Sequence, residues 1–164
     1  MNRALDSNLI RQGGTVPEGP FTHAFEVRLH DTDAAGRLFF AHLFRYAHDA
    51  YESLMAAAGF PLQDLIRGGT ALPIVHAQAD YRTPMRQGDR IRIEMTLAEI
   101  RRRSFSLDYR FLDDQGHLRA RARTVHVLIG ADTAADLPDG LRQALARWQS
   151  REEQGCLSGQ SQPQ

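Results

Sequence analysis

The stretch His30-Asp31-Thr32-Asp33-Ala34-Ala35-Gly36-Arg37-Leu38-Phe39-Phe40 decides how this chain is read. It places two carboxylates at the end of a strand, a glycine where the backbone must bend, and the start of a helix within reach of both. The helix follows from spacing. Leu43, Phe44, Ala47, Ala50, Tyr51, Leu54, Met55 and Ala58 recur at three- and four-residue intervals, while Arg45, Asp49, Glu52 and Ser53 fall on the opposite side. Gly59 followed by Pro61 is a stop signal, so the helix is predicted to run from about Ala41 to about Ala58. A carboxylate can attack a carbonyl or activate water, and the unpaired N–H groups of a helix start can stabilise the resulting oxyanion. That combination outlines an acyl-transfer site.

Around this centre, Thr22 to Arg28 reads as a strand and Gln63 to Thr70 as a connection. Leu72 to Tyr81, Asp89 to Ile100, Ser104 to Leu112 and Leu118 to Ile129 read as successive strands, with Gly88-Asp89 and Asp113-Asp114-Gln115-Gly116 as turn signals. Ile91, Ile93, Met95 and Leu97 alternate with Arg90, Arg92, Glu94 and Thr96, and Phe105, Leu107, Tyr109 and Phe111 recur at the same period, giving one dry and one wet face. Pro138-Asp139-Gly140 opens a short C-terminal helix with Leu141, Leu145 and Trp148 on one side. The fold class is therefore α+β, a curved antiparallel sheet of about five strands wrapped around one long central helix. Its exposed sheet edges invite pairing with a second subunit.

The chain has 164 residues, 42% of them hydrophobic, enough for one core and a single domain. Residues 1–20 are expected to be a mobile N-terminal segment, 21–150 the folded domain, and 151–164 a disordered tail. There is no apolar run of a signal peptide and no stretch near the roughly 18 apolar residues of a membrane span, so the expected location is the cytoplasm, away from membranes. Cys156 is the sole cysteine, which leaves no disulfide framework or cysteine metal site. All twenty formal cations are arginine, so a Schiff-base lysine and a Walker-type phosphate loop are both excluded. The net charge of zero argues against bulk nucleic-acid binding. His30, Asp31, Asp33, His42 and His48 have no established metal-ligand spacing, and no metal is expected.

Asp31-Thr32-Asp33-Ala34-Ala35-Gly36 before a long helix, then Leu72-Pro73-Ile74-Val75-His76-Ala77 and Gln87-Gly88-Asp89-Arg90, resembles the hotdog-fold acyl-CoA thioesterases of the 4-hydroxybenzoyl-CoA type. The similarity covers about Phe25 to Ile129. His48-Asp49-Ala50-Tyr51-Glu52-Ser53 and Ala71 to Ala77 resemble the branch that hydrolyses 1,4-dihydroxy-2-naphthoyl-CoA in phylloquinone (vitamin K1) biosynthesis. The resemblance implies a hotdog fold, with Asp33 as the catalytic carboxylate, nucleophile or general base, and the backbone N–H of Phe40 as oxyanion donor. It further implies Phe39, His48 and His76 as substrate-binding candidates, and Arg102, Arg103 and Ser104 as contacts to the nucleotide end of coenzyme A. No cofactor is implied, coenzyme A being part of substrate and product. Active sites at a subunit interface imply a homodimer or homotetramer. Ala41 departs from the asparagine that usually follows the family's aromatic pair, which leaves a backbone donor intact but removes a side-chain contact.

The residues alone leave alternatives open. Asp31 and Asp33 could form a turn and cap the helix. His48 and His76 could be packed and hydrogen-bonded within the fold, and Arg101-Arg102-Arg103 could be a solvated turn. The rival functions are a thioesterase for other small aromatic or short-chain acyl-CoAs and a hotdog module that binds acyl-CoA without turnover.

Overall fold

The computed structural model describes residues 19–149. The segments expected at 1–20 and 151–164, and with them Cys156, lie outside the described residues, apart from Gly19 and Pro20. In chain order the elements are β1 (Phe21–Glu26), α1 (His42–Ala57), α2 (Leu62–Arg67), β2 (Thr70–Ala71), β3 (Ile74–Tyr81), β4 (Arg90–Ile100), β5 (Ser104–Asp113), β6 (Leu118–Val127), β7 (Ile129–Gly130), β8 (Thr133–Ala134) and α3 (Asp139–Leu145).

The helix α1 sits within a residue of its predicted ends. It buries Leu43, Tyr46, Ala47, Ala50, Tyr51, Leu54 and Met55. Its end is set by Gly59, whose φ of +83° is the left-handed conformation that glycine adopts without a Cβ clash. The Gly59 N–H donates to the Ala56 carbonyl (3.0 Å) and the Phe60 N–H to the Met55 carbonyl (2.9 Å), which satisfies two carbonyls the helix would otherwise leave open.

The main sheet runs β1-β4-β5-β6-β3 with every neighbouring pair antiparallel, and β2, β7 and β8 form a small second sheet. The alternation in β4 and β5 sends Ile91, Ile93, Met95, Leu97, Phe105, Leu107, Tyr109 and Phe111 into the core beneath α1. Leu141, Leu145 and Trp148 close it from the C-terminal side, Trp148 meeting Phe21 edge-on at 5.7 Å between centroids. The outer strand β3 is mostly exposed, including Ile74 and Val75.

Three features depart from the sequence reading. The stretch taken as a connection contains α2, a single short helix that starts after Pro61 and ends at Gly68-Gly69. Strand β1 stops at Glu26, and a turn of 3-10 helix, Leu29–Asp31, carries the first carboxylate of the acidic motif and separates β1 from the hairpin at Asp33. The core also holds a histidine: His126 is fully buried, stacked on Phe105 at 4.9 Å and tilted against Tyr51 at 4.2 Å. Its Nε2 lies 2.8 Å from the Thr124 hydroxyl, which in turn meets the Tyr109 hydroxyl at 3.0 Å. Burial pushes the His126 pKa down to about 4, so this ring is neutral at neutral pH.

Candidate active site

Asp31 and Asp33 are two residues apart and have opposite environments. Asp31 is completely buried. Its carboxylate accepts from the Tyr46 hydroxyl and the Arg45 guanidinium, both on α1, and from the Arg28 N–H at 2.9 Å. Its carbonyl accepts from the Phe39 N–H (2.8 Å) and from the His42 ring Nδ1 (3.0 Å). Burial alone would raise its pKa. The Tyr46 and Arg28 hydrogen bonds and the charges of Arg45 and His30 outweigh that and hold it below the usual carboxylate range. Asp31 is thus the anchor that ties the acidic motif to the first turns of α1.

Asp33 instead opens a tight hairpin. Its carbonyl accepts from the Gly36 N–H (2.9 Å), its own N–H donates to the Arg37 carbonyl (2.8 Å), and Thr32 pairs with Leu38 just outside. A three-residue loop of this kind needs a left-handed residue at its last position, and Gly36 supplies it with φ +69°. Asp33 Oδ1 accepts from the Ala35 N–H (2.8 Å) and the Arg37 N–H (3.1 Å), which fixes the carboxylate's orientation. Among the described residues Oδ2 has no partner, and the side chain is exposed. The turn-forming reading of Asp33 holds for one oxygen and not for the second.

A cleft of about 390 Å³ starts at Asp33 and is lined by Arg37, Leu38, Phe39, Phe40, Tyr81, Arg82, Thr83, Pro84 and Met85. At the helix start, the N–H groups of His42, Leu43 and Phe44 turn back to the carbonyls of Phe39, Phe40 and Ala41. The Phe40 and Ala41 N–H groups have no acceptor among the described residues, and of the two Phe40 lines the cleft. The Phe39 and Phe40 rings lie 4.7 Å apart, and Phe40 is 63% exposed. Tyr81 donates its hydroxyl to the Phe40 carbonyl at 2.7 Å and so pins the helix start to β3. Sequence reasoning missed Tyr81. Its signal was register, since it pairs with Ala120 on the helix-facing side of the sheet, and that pairing is not readable from β3 alone.

The other sequence candidates lie elsewhere in the chain. His48 is half-exposed on α1, 3.2 Å from Glu52 and edge-on to Tyr51, and does not line the cleft. His76 pairs with Val125 on the outward face of the sheet and meets the Gln78 side chain at 3.2 Å. Arg102 and Arg103 share one carboxylate, Asp136, at 3.5 and 3.0 Å, while Ser104 begins β5. Strand β4 begins at the cleft's end of the molecule, and its eleven residues put the 101–103 turn roughly 30 Å away within one chain. His42, whose part in the motif was open, serves Asp31.

Residues 27–145 match the model of the thioesterase-like superfamily. The chain is 39% identical over 124 residues to a 1,4-dihydroxy-2-naphthoyl-CoA hydrolase of Synechococcus elongatus, covering 74% of this chain and 89% of that one. It is 38% identical over 125 residues to the hydrolase of the same name from Rippkaea orientalis, with the same coverage. Among solved structures, a 1,4-dihydroxy-2-naphthoyl-CoA thioesterase from Synechocystis superposes with a TM-score of 0.74 at 36% identity, over 78% of this chain and 96% of that one. A gentisyl-coenzyme A thioesterase gives 0.72 at 28% identity, over 76% and 99%. This chain belongs to the thioesterase-like superfamily, with the hotdog fold. It is a thioester hydrolase, homologous to the 1,4-dihydroxy-2-naphthoyl-CoA hydrolases.

Proposed function

We propose that this protein hydrolyses 1,4-dihydroxy-2-naphthoyl-CoA to 1,4-dihydroxy-2-naphthoate and coenzyme A, a step of phylloquinone biosynthesis. The observation that carries the site assignment is the free Oδ2 of Asp33 in a cleft that also contains the unpaired Phe40 N–H. Asp33 either takes a proton from a water that attacks the thioester carbonyl, or attacks the carbonyl itself to form an acyl-aspartyl anhydride that a water then hydrolyses, releasing the acid and regenerating the carboxylate. The Phe40 N–H donates to the oxyanion, and the tetrahedral intermediate expels the coenzyme A thiolate, which is then protonated. The exposed rings of Phe39 and Phe40 offer faces for a flat acyl group to stack on.

His48, His76, Arg102, Arg103 and Ser104 do not line the cleft of their own chain, and we propose that they reach a substrate bound at the Asp33 of another copy. In this reading His48 and His76 bind acyl hydroxyls, Arg102, Arg103 and Ser104 hold the nucleotide end, and the exposed β3 edge with Ile74 and Val75 supports pairing into a dimer or a tetramer of dimers. Thiol release from a panel of acyl-CoAs tests the substrate. The expected kcat/KM order is dihydroxynaphthoyl, then benzoyl, then short aliphatic, because a pocket that pairs with substrate hydroxyls rejects analogues lacking them. Equal turnover of a short aliphatic ester would replace the naphthoyl assignment with a general acyl-CoA thioesterase.

A further inference from the structure

The rim of the Asp33 cleft carries two arginines, with a third paired to one of them, that folding alone does not explain. Arg37 and Arg82 line the cleft, and the backbone of Arg37 pairs antiparallel with that of Arg86. Like charges directly opposite each other on paired backbones are destabilising unless something neutralises them. Among the described residues none of the three guanidinium groups has a carboxylate within ion-pair distance, whereas Arg28, Arg45, Arg92, Arg110, Arg119 and Arg123 each do. The nearby carboxylates accept from backbone, Asp33 from the Arg37 N–H and Asp89 from the Arg86 N–H, and neither forms an ion pair with these guanidinium groups. A second opposed pair, Arg110 and Arg121 in the main sheet, has acidic residues next to it in register, and Glu94 forms an ion pair with Arg110 at 2.9 Å. There Glu94 stands opposite Arg110 on one side and Asp80 opposite Arg121 on the other.

The rim is also held in place. The Arg82 and Thr83 N–H groups donate to the Arg119 carbonyl at 2.9 and 3.1 Å, the Leu38 N–H donates to the Met85 carbonyl at 2.8 Å, and the Gly88 N–H donates to the Val27 carbonyl at 2.9 Å. Arg37 and Arg82 at the cleft, with Arg86 opposite Arg37 on a pinned backbone and none of the three in an ion pair among the described residues, form a preorganised anion site, and their planar forks suit phosphate oxygens.

We propose that Arg37, Arg82 and Arg86 bind the phosphates of the substrate's nucleotide carrier on the same chain that supplies Asp33. The inference rests on the acyl-CoA reading above and adds to it a phosphate subsite in cis, at the opposite end of the sheet from Arg102 and Arg103. The diphosphate and the 3′-phosphate of coenzyme A offer the same chemistry to this rim.

The test compares one acyl group on coenzyme A, on dephospho-coenzyme A and on N-acetylcysteamine, which has no phosphate, with the wild-type full chain and the Arg82→Ala/Arg86→Ala variant. The preference in kcat/KM for the coenzyme A ester over the cysteamine ester is expected to fall by roughly tenfold or more, as for losing one or two charge-assisted contacts. Arg82→Lys/Arg86→Lys is expected to retain part of that preference. If the variant also loses preference for the dephospho ester, the diphosphate is the ligand, and if that ester is unaffected, the 3′-phosphate is. An unchanged preference in the alanine variant would overturn the phosphate subsite alone. Wild-type protein that cleaves neither the coenzyme A ester nor the cysteamine ester would overturn the acyl-CoA reading and the subsite with it.

Discussion

Asp31 and Asp33 are separated by one threonine, yet one is the most heavily partnered carboxylate near the site and the other keeps an oxygen free. The difference is made by backbone. A 3-10 turn points Asp31 inward under α1, where Arg45, Tyr46 and the Arg28 N–H surround it, and the hairpin that follows turns Asp33 outward into the cleft. A buried, satisfied carboxylate contributes stability, and an exposed, oriented one is available to react. Identical side chains in one short motif thus take two environments, one tied to the helix start and the other oriented beside the cleft with one oxygen unpartnered among the described residues.

The largest effect is expected at Asp33. Asp33→Asn is nearly isosteric and keeps Oδ1 for the Ala35 and Arg37 N–H groups, so Tm should hardly move, while kcat falls by about 10² to 10⁴ because an amide neither attacks nor takes a proton. Asp31→Ala should do the reverse. Removing a buried charge that Arg45, Tyr46 and Arg28 all contact should cost about 3 kcal/mol and lower Tm by roughly 10 °C, seen in a thermal melt.

The buried histidine supplies a pH-resolved version of the same contrast. His126 has a folded pKa of about 4 against an ordinary 6.5, so at acid pH the unfolded chain binds a proton that the folded one refuses. Stability should be full above about pH 6.5 and decline towards pH 4, by about 2 kcal/mol at pH 4.5. Asp31, whose pKa is lowered, should withdraw its contribution only as pH falls below the ordinary carboxylate value of 3.8. Urea melts across pH should show the first decline vanish in His126→Phe and the second persist. A smaller effect is expected at the far turn. Arg102→Ala/Arg103→Ala should raise KM for the coenzyme A ester by about threefold to tenfold, since both side chains are exposed and share Asp136. If Asp136→Ala reproduces that change, the two arginines act by holding the turn.

Much of this molecule was legible in the sequence because its signals are local. The apolar spacing from Leu43 to Met55 and the Gly59 stop place α1 within one residue at each end, and the alternation in β4 and β5 gives the inward face correctly. Asp33, Gly36 and the helix start form one continuous stretch, so their proximity was legible too. The rest depends on register and distance. His76 looked like a cleft residue until its pairing with Val125 put it on the outer face, and Tyr81 gained its place through the same ladder. The α2 helix went unread because Leu62, Leu65 and Ile66 within six residues are too few to establish a period. The sharing of Asp136 by Arg102 and Arg103 joins residues more than thirty positions apart, which no local pattern encodes.

The central claim, that Asp33 reacts while Asp31 supports, is tested most directly by measuring Asp31→Asn and Asp33→Asn side by side at a temperature where both are folded. Thiol release from dihydroxynaphthoyl-CoA gives kcat, and a thermal melt gives stability. The account predicts that the two variants separate, with Asp33→Asn losing at least a hundredfold in kcat at wild-type Tm and Asp31→Asn losing Tm while retaining most of its turnover. Wild-type kcat in Asp33→Asn, or an equal loss of turnover in both variants, would contradict it.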